Sequence, residues 1–398
     1  MRDINILLKF GGWFFFTFFC FFYLTGLKFT FPPYYSIFPL LILGGGVFFK
    51  SNTINKDYLI VIFLISIIVF FSLISMLYNQ LYFIDYIKQV PFLFFVNFFS
   101  AYSLVYIYLK FSKNKYGFIY LIVLSLVLQL ILSFLAYLST PVYNYIFSVV
   151  DAGLDSSRLE EFNSARIVGV GASFFGAGVL SSIIIVLLTI FYQKKIVKNI
   201  FFYISSFLII SILGLMLSRT TLIGIVLSLV MILIDLRKID NLKFLLSLLS
   251  ITLCVAFFIP FLSLFDERVV NIFKFGFEVI YNFENSQAKD SLGRLGEMLE
   301  VFPTSFSTWL IGDAQYVNES GGYYKNIDVG YTRIIYANGL IGLFLYVYIH
   351  FYLIKMNNML YGYRIYLFVL FLLLNIKGVA NLFPILILLF FYNREVWK

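Results

Sequence analysis

Apolar runs dominate this chain, near residues 10–27, 31–49, 58–78, 91–109, 116–140, 168–192, 199–217, 220–236, 242–262, 330–353, 361–376 and 379–393. Runs of about 17 to 25 such residues match the length of a helix crossing the hydrocarbon core of a bilayer. Within that core every backbone N–H and C=O must find its partner inside the chain, so spanning segments are helices or closed barrels. About twelve runs of helical length therefore predict an all-α polytopic membrane protein, read as one integral membrane domain over residues 1–398. Only 12% of the 398 residues are charged, against about 25% in a soluble domain that must solvate its surface. The first run lacks a small-residue cleavage site and is expected to be retained as a span.

The formal net charge of +9 would suggest a nucleic-acid partner in a soluble protein. Here the basic residues sit in short loops between apolar runs, where they orient the spans instead. Assigning alternate loops to the cytoplasm, beginning with the N-terminus, gathers more than half of the 29 Lys and Arg residues inside. The acids there are only Asp3, Asp57, Asp235, Asp240 and Glu395, so the inside is net positive and the outside net negative. Both termini are expected to be cytoplasmic. Cys20 and Cys254 lie inside apolar runs and make no disulfide or metal-ligand pattern.

Two outside segments are long enough to hold structure of their own, residues 141–167 and 263–329. In the larger one Glu267, Asn271, Lys274, Glu278 and Asn282 recur at spacings of four and three with apolar residues between them. That period predicts an amphipathic helix lying at the membrane surface. A second short helix is expected to begin at Asp290 or Ser291, with Leu292, Leu295 and Leu299 on one face and Arg294 and Glu297 on another. The stretch GVGASFFGAG, residues 169–178, reads as close helix packing in the sixth span.

Chain direction singles out three arginines. Spans six, eight and ten run from outside to inside, so their helix N-termini open outward. Arg166 precedes span six, Arg219 heads span eight in LMLSRTTLIG, and Arg333 lies near the head of span ten. Helix N-termini carry unpaired N–H groups and the positive end of the helix dipole. A cation there is misplaced for stability and well placed to bind an anion, since phosphates are held by helix N-termini together with the planar fork of arginine. Ser218, Thr220 and Thr221 are expected to cap span eight and supply further donors. The competing reading is that arginines at helix ends simply reach to lipid headgroups. Arg219 resists it best, because its tight turn holds it at or just below the outer surface, where an idle charge is costly.

Asp328, one turn before Arg333, is expected to orient that arginine, cap span ten or accept a proton from a substrate hydroxyl. Asp313 and the pair Glu160 and Glu161 are weaker candidates that read more simply as loop-solvating acids. His350, the only histidine, falls near the cytoplasmic end of span ten and is discounted for catalysis. There is no P-loop, dinucleotide fingerprint or D-x-D sequence, and no metal or cofactor is expected.

The order LSRTTLIG, then SLGRLGEMLEVF and TWLIGD, then DVGYTRIIYANGLIG resembles the bacterial O-antigen and capsular repeat-unit polymerases, the Wzy-like members of the O-antigen ligase and polymerase superfamily. The resemblance is best over residues 160–350. It implies a GT-C-like membrane fold in the bacterial inner membrane, with the site on the extracytoplasmic face. It also implies a metal-independent glycosyltransferase that moves a growing glycan from undecaprenyl diphosphate to the sugar hydroxyl of an incoming lipid-linked unit. By motif, Arg166 and Arg219, and less closely Arg158, Arg294 and Arg333, would engage the anionic lipid-linked substrates. Some members carry a glycine eleven residues after such an arginine. Arg158 and Gly169 keep that spacing, whereas Arg294 is followed by Ser305. The related ligases typically carry a histidine where this chain has Asp328, a departure that favours polymerase and makes Asp328 the expected base. Implied partners are the undecaprenyl-diphosphate-linked oligosaccharide, membrane lipid, a chain-length regulator and a flippase, with no nucleic acid. The alternatives are an O-antigen ligase acting on a lipid core and a lipid-linked oligosaccharide flippase. A flippase is expected to bury charges deep in several spans and to keep its outer loops short.

Overall fold

A computed structural model describes residues 2–32, 35–50, 56–81, 83–112, 116–151, 166–172, 174–235, 244–245, 267–281, 287–318 and 322–396. Over them the chain forms α1 (Arg2–Thr25), α2 (Phe38–Lys50), α3 (Lys56–Tyr78), α4 (Asp85–Phe111), α5 (Gly117–Leu138), α6 (Thr140–Val149), α7 (Phe174–Gln193) and α8 (Ile200–Leu217). There follow α9 (Thr221–Ile234), α10 (Glu267–Tyr281), α11 (Gln287–Leu299), α12 (Phe306–Ile311), α13 (Gly330–Met356), α14 (Arg364–Lys377) and α15 (Phe383–Val396). Among the described residues there are isolated bridges but no strand, and six helices, α3, α4, α5, α7, α8 and α13, are long and apolar enough to cross a membrane. This is the architecture of a helical multi-pass membrane protein. Helices lie on the apolar runs other than 242–262, of which only Phe244 and Leu245 are described.

Several ends differ from the sequence expectation, each for a local reason. The second run begins its helix only at Phe38, after the proline pair at 32 and 33, where fixed φ and missing N–H groups work against a helix interior. Pro91 is passed inside α4 by a π turn at Lys88–Phe92, which absorbs the missing donor. The sixth run enters its helix only at Phe174. The residues before it stay irregular, and Gly171 takes φ +86 against Thr25 and Leu27, where a Cβ would lie 2.8 Å from Thr25.

Two compact units divide the described residues. The first joins Met1–Ile37 to Phe111–Phe283. Its helix α7 is buried from Ala177 to Tyr192, as expected for a helix apolar on every side, and packs on α8 and α9. Small residues set the spacing. A Cβ at Gly224 would lie 2.4 Å from Ser182 Cα, and one at Gly178 would lie 2.6 Å from Ser218 Oγ. Of the small residues at 169–178, Gly178 thus makes the close helix packing expected, while Gly169 and Gly171 serve the irregular entry. That entry buries Ile167, Val168 and Val170, and its backbone is satisfied by α5. Val170 N–H donates to Ser133 Oγ at 2.9 Å, and Gln129 Nε2 donates to the Ala172 carbonyl at 2.8 Å.

The second unit joins Phe38–Lys110 to Glu284–Lys398. Here α13 packs against α3, α12, α14 and α15. Rather than one unbroken span, α13 is interrupted at Gly339, with φ +66 and ψ −171, where the backbone of Leu310 in α12 comes so close that a Cβ would lie 2.2 Å from its carbonyl oxygen. The polar groups around the break are taken up by α3 and the residue that follows it: Ser75 Oγ donates to the Ala337 carbonyl, Asn79 Nδ2 to the Gly312 carbonyl, and Asn338 Nδ2 to Ser72 Oγ. The interruption between α14 and α15 is treated in the same way, with Ala380 N–H donating to Asn375 Oδ1 and Tyr346 OH to the Ala380 carbonyl. His350 is fully buried between the rings of Phe371 and Phe383, at 4.2 and 4.1 Å, with Nδ1 2.9 Å from the Tyr346 carbonyl.

A side chain at Gly339 meets both a left-handed backbone and a backbone wall. Gly339→Ala is expected to cost about 2–4 kcal/mol and to lower the melting temperature in detergent. Gly45→Ala, where a Cβ meets nothing within 4 Å, leaves that temperature unchanged or slightly raised.

Candidate functional site

The first unit holds an arginine pair built around Phe275. Arg219 occupies a tight turn: Ser218 ends α8 with extended backbone, and α9 begins three residues later at Thr221. The turn is pinned to α7 by Ser182 Oγ donating to the Thr220 carbonyl at 3.1 Å. Its first N–H groups are used within the turn, Thr221 to the Ser218 carbonyl, Leu222 to Arg219 and Ile223 to Thr220. Thr220 makes no capping bond with its side chain, and Ser218, Thr220 and Thr221 are buried. The expectation that these hydroxyls cap the helix is therefore corrected. They pack inward because glycines opposite leave room only for short side chains.

The amphipathic helix α10 supplies what surrounds Arg219. It buries Ile272 and Gly276 and leaves Asn271 and Lys274 exposed. A Cβ at Gly276 would lie 3.3 Å from Met216 N, so this face docks closely on the end of α8. Two residues on, the Glu278 carboxylate forms an ion pair with Arg219 Nη2, with side chains only 16% and 14% exposed. Arg219 Nε donates to the Phe275 carbonyl at 3.2 Å, and the guanidinium lies 4.4 Å from the Phe275 ring. Arg166 shares that ring at 5.9 Å and lies over Phe174 at 4.1 Å. Burial, and secondarily the like charge of Arg219, pushes the Arg166 pKa down to about 10, which leaves it cationic at neutral pH. Two guanidinium groups sharing one ring repel each other, and a bound anion would relieve that repulsion. Glu278 was legible in the sequence as one polar position of a helical stripe; its inward-turned charge was not.

The second unit holds Arg333, Asp328 and a tyrosine clamp. Arg333, 7% exposed, has its guanidinium 4.2 Å from the Tyr316 ring and 3.9 Å from the Tyr323 ring. Its Nη1 lies 3.9 Å from Asp328 Oδ1, so Asp328 orients the arginine. Val329, not Asp328, is the N-cap of α13. The Asp328 carboxyl is 43% exposed. Burial raises its pKa against the opposing pull of Arg333 and Lys377, making it a better proton acceptor than an ordinary carboxylate. Asp313 is structural, holding its loop by accepting from Thr308 Oγ1 and Tyr324 OH while its N–H donates to the Tyr336 carbonyl.

Arg294 is exposed on α11, whose Leu295 and Met298 pack against Ile327, Val329 and Tyr336. Arg158, Glu160 and Glu161 lie outside the described residues. Arg166 precedes the start of α7 by eight residues, whereas Arg333 sits in the first turn of α13, so Arg219 and Arg333 keep the positions at and near a helix head expected of them and Arg166 does not. Among the described residues no group of three His, Cys, Asp or Glu side chains is placed to hold a metal ion. No protein-family model, no curated protein and no solved structure matches this chain.

Removing Glu278 strands a largely buried cation. Glu278→Ala is expected to destabilise the protein by about 3 kcal/mol, read as a lower melting temperature in detergent, with Glu278→Gln losing less. Asp328 gives a pH signature. With its folded pKa above the ordinary 3.8, the folded state binds more protons between the two values. Its contribution to stability therefore falls as pH rises through that window, and Asp328→Asn is expected to flatten that part of the stability profile.

Proposed function

We propose that this chain is an oligosaccharide repeat-unit polymerase of the bacterial inner membrane, with both termini in the cytoplasm, about twelve spans and its chemistry on the extracytoplasmic side. The observation that carries the reading is the pairing of Arg166 with Arg219 around Phe275. Two cations kept together in a poorly solvated place suit a diphosphate better than a neutral sugar. The motif order and the polyprenyl-lipid habit of the Wzy-like proteins supply the rest. In this mechanism the acceptor hydroxyl attacks the anomeric carbon of the donor glycan, and the bond to the diphosphate breaks with its electrons staying on the leaving phosphate. Arg166 and Arg219 stabilise that developing charge. The hydroxyl proton goes to a carboxylate base, and Asp328 is proposed for that role from the chemistry of its own unit alone. Arg294 and Arg333, with Arg158, are proposed to engage the anionic substrate on the strength of the motif resemblance.

The break in α13 at Gly339 favours a second reading, a lipid-linked oligosaccharide flippase, because discontinuous helices line binding sites in transporters. It is the weaker one, since Ser75, Asn79 and Ser72 already hold the polar groups around that break.

Reconstitution with an undecaprenyl-diphosphate repeat unit is expected to produce a ladder of longer glycans on a gel. Movement of labelled lipid across the bilayer without elongation would establish the flippase instead. Arg166→Ala and Arg219→Ala are expected to cut elongation by ~100-fold or more at equal protein level. Arg219→Lys, which keeps the charge without the planar fork, recovers little of it.

A further inference from the structure

At the connection between α13 and α14 a cavity of about 300 Å³ is lined by Phe351, Ile354 and Lys355 from one helix and Arg364, Ile365 and Phe368 from the other. The spacings of three and four place each set on a single face of its helix. Phe351 and Phe368 meet edge to face, with ring centroids 5.5 Å apart, and form the apolar wall. Ile365 and Phe351 are exposed on apolar helices, so the groove opens where lipid chains run. Its other end is cationic. Lys355 stands in the last turn of α13, and Arg364 is the first residue of α14. None of the six lining residues is acidic, and Asp57, in the first turn of α3, is already paired with Arg394. Among the described residues the Arg364 Nε is buried with no hydrogen-bond partner, a donor that a folded protein normally satisfies. Tyr361, 70% exposed and 5.2 Å from the Arg364 guanidinium, and Tyr363 and Tyr366 beside it mark the headgroup level.

We propose that this groove binds one anionic glycerophospholipid, with an acyl chain along Phe351, Ile365 and Phe368 and its phosphate between Lys355 and Arg364. An apolar wall ending in two cations is complementary to that molecule and not to a zwitterionic lipid, whose own ammonium group would meet the same charges. Basic pockets between membrane helices hold acidic headgroups by this arrangement. The site is independent of the glycan chemistry proposed above and stands or falls separately from it.

The test is native mass spectrometry of the full-length protein in detergent, titrated with phosphatidylglycerol, with phosphatidylcholine of the same acyl chains, and with inorganic phosphate. The tightest phosphatidylglycerol adduct is expected to exceed phosphatidylcholine roughly thirtyfold in affinity, about fivefold for each cation. In Lys355→Gln/Arg364→Gln that preference falls to about threefold or less, and inorganic phosphate alone gives no adduct of comparable strength. Equal binding of the two lipids, an unchanged preference in the double variant, or a phosphate adduct as tight as the lipid would each overturn the proposal. Should the double variant not fold, Ile365→Trp fills the groove from an exposed position and keeps both cations. It is expected to lose the adduct, and retention would exclude the groove as its seat.

Discussion

In a bilayer the backbone has no solvent to fall back on, and this chain leaves regular helix at several buried points. Each departure is matched by polar side chains from a helix that otherwise reads as featureless apolar span. Gln129 and Ser133 of α5 serve the irregular residues before α7. Ser72 and Ser75 of α3, and Asn79 just after it, serve the groups around the break at Gly339. Asn375 and Tyr346 serve the gap before α15. An unpaired backbone group in hydrocarbon costs several kcal/mol, so these few side chains decide where the non-helical segments lie. The segment before α7 in turn carries Arg166, and the Arg219 turn is held in the same manner by Ser182 of α7.

Charge is handled by a second recurrent device. Arg219 has the Phe275 ring at its face and Glu278 at its edge. Arg333 has two tyrosines and Asp328, and Arg394 has Phe390 and Asp57. An aromatic face attracts a cation without bringing a charge that must itself be desolvated, and a single acid then completes the neutralisation. The abundance of Phe and Tyr is thus partly the means by which a sparsely charged chain keeps arginines at low exposure. Arg166 differs in sharing the Phe275 ring with a second cation, and that pairing is the feature on which the functional reading rests.

Much of this was legible residue by residue. The apolar runs announced the helices, LMLSRTTLIG announced a turn tight enough to hold a cation, and the spacing of Glu267, Asn271, Lys274 and Glu278 set out an amphipathic helix. The site was legible only as a set of exceptional residues. Asp328 beside Arg333 could be read because the two are one helical turn apart. Arg219 with Glu278 could not, because 59 residues separate them and every position of the polar stripe looks alike until one knows which helix end it meets.

What the sequence by itself determined is everything governed by local period and transfer free energy: helical class, membrane environment and the rarity and position of the charges. Tertiary structure alone decided which charges meet. Gly276 had to find the backbone of Leu215 and Met216 before Glu278 could reach Arg219, and Gly339 had to accept the backbone of Leu310 before α13 could break. Both depend on two surfaces approaching to within a few ångströms, a condition that belongs to a pair of segments distant in the chain and is therefore written in neither of them alone.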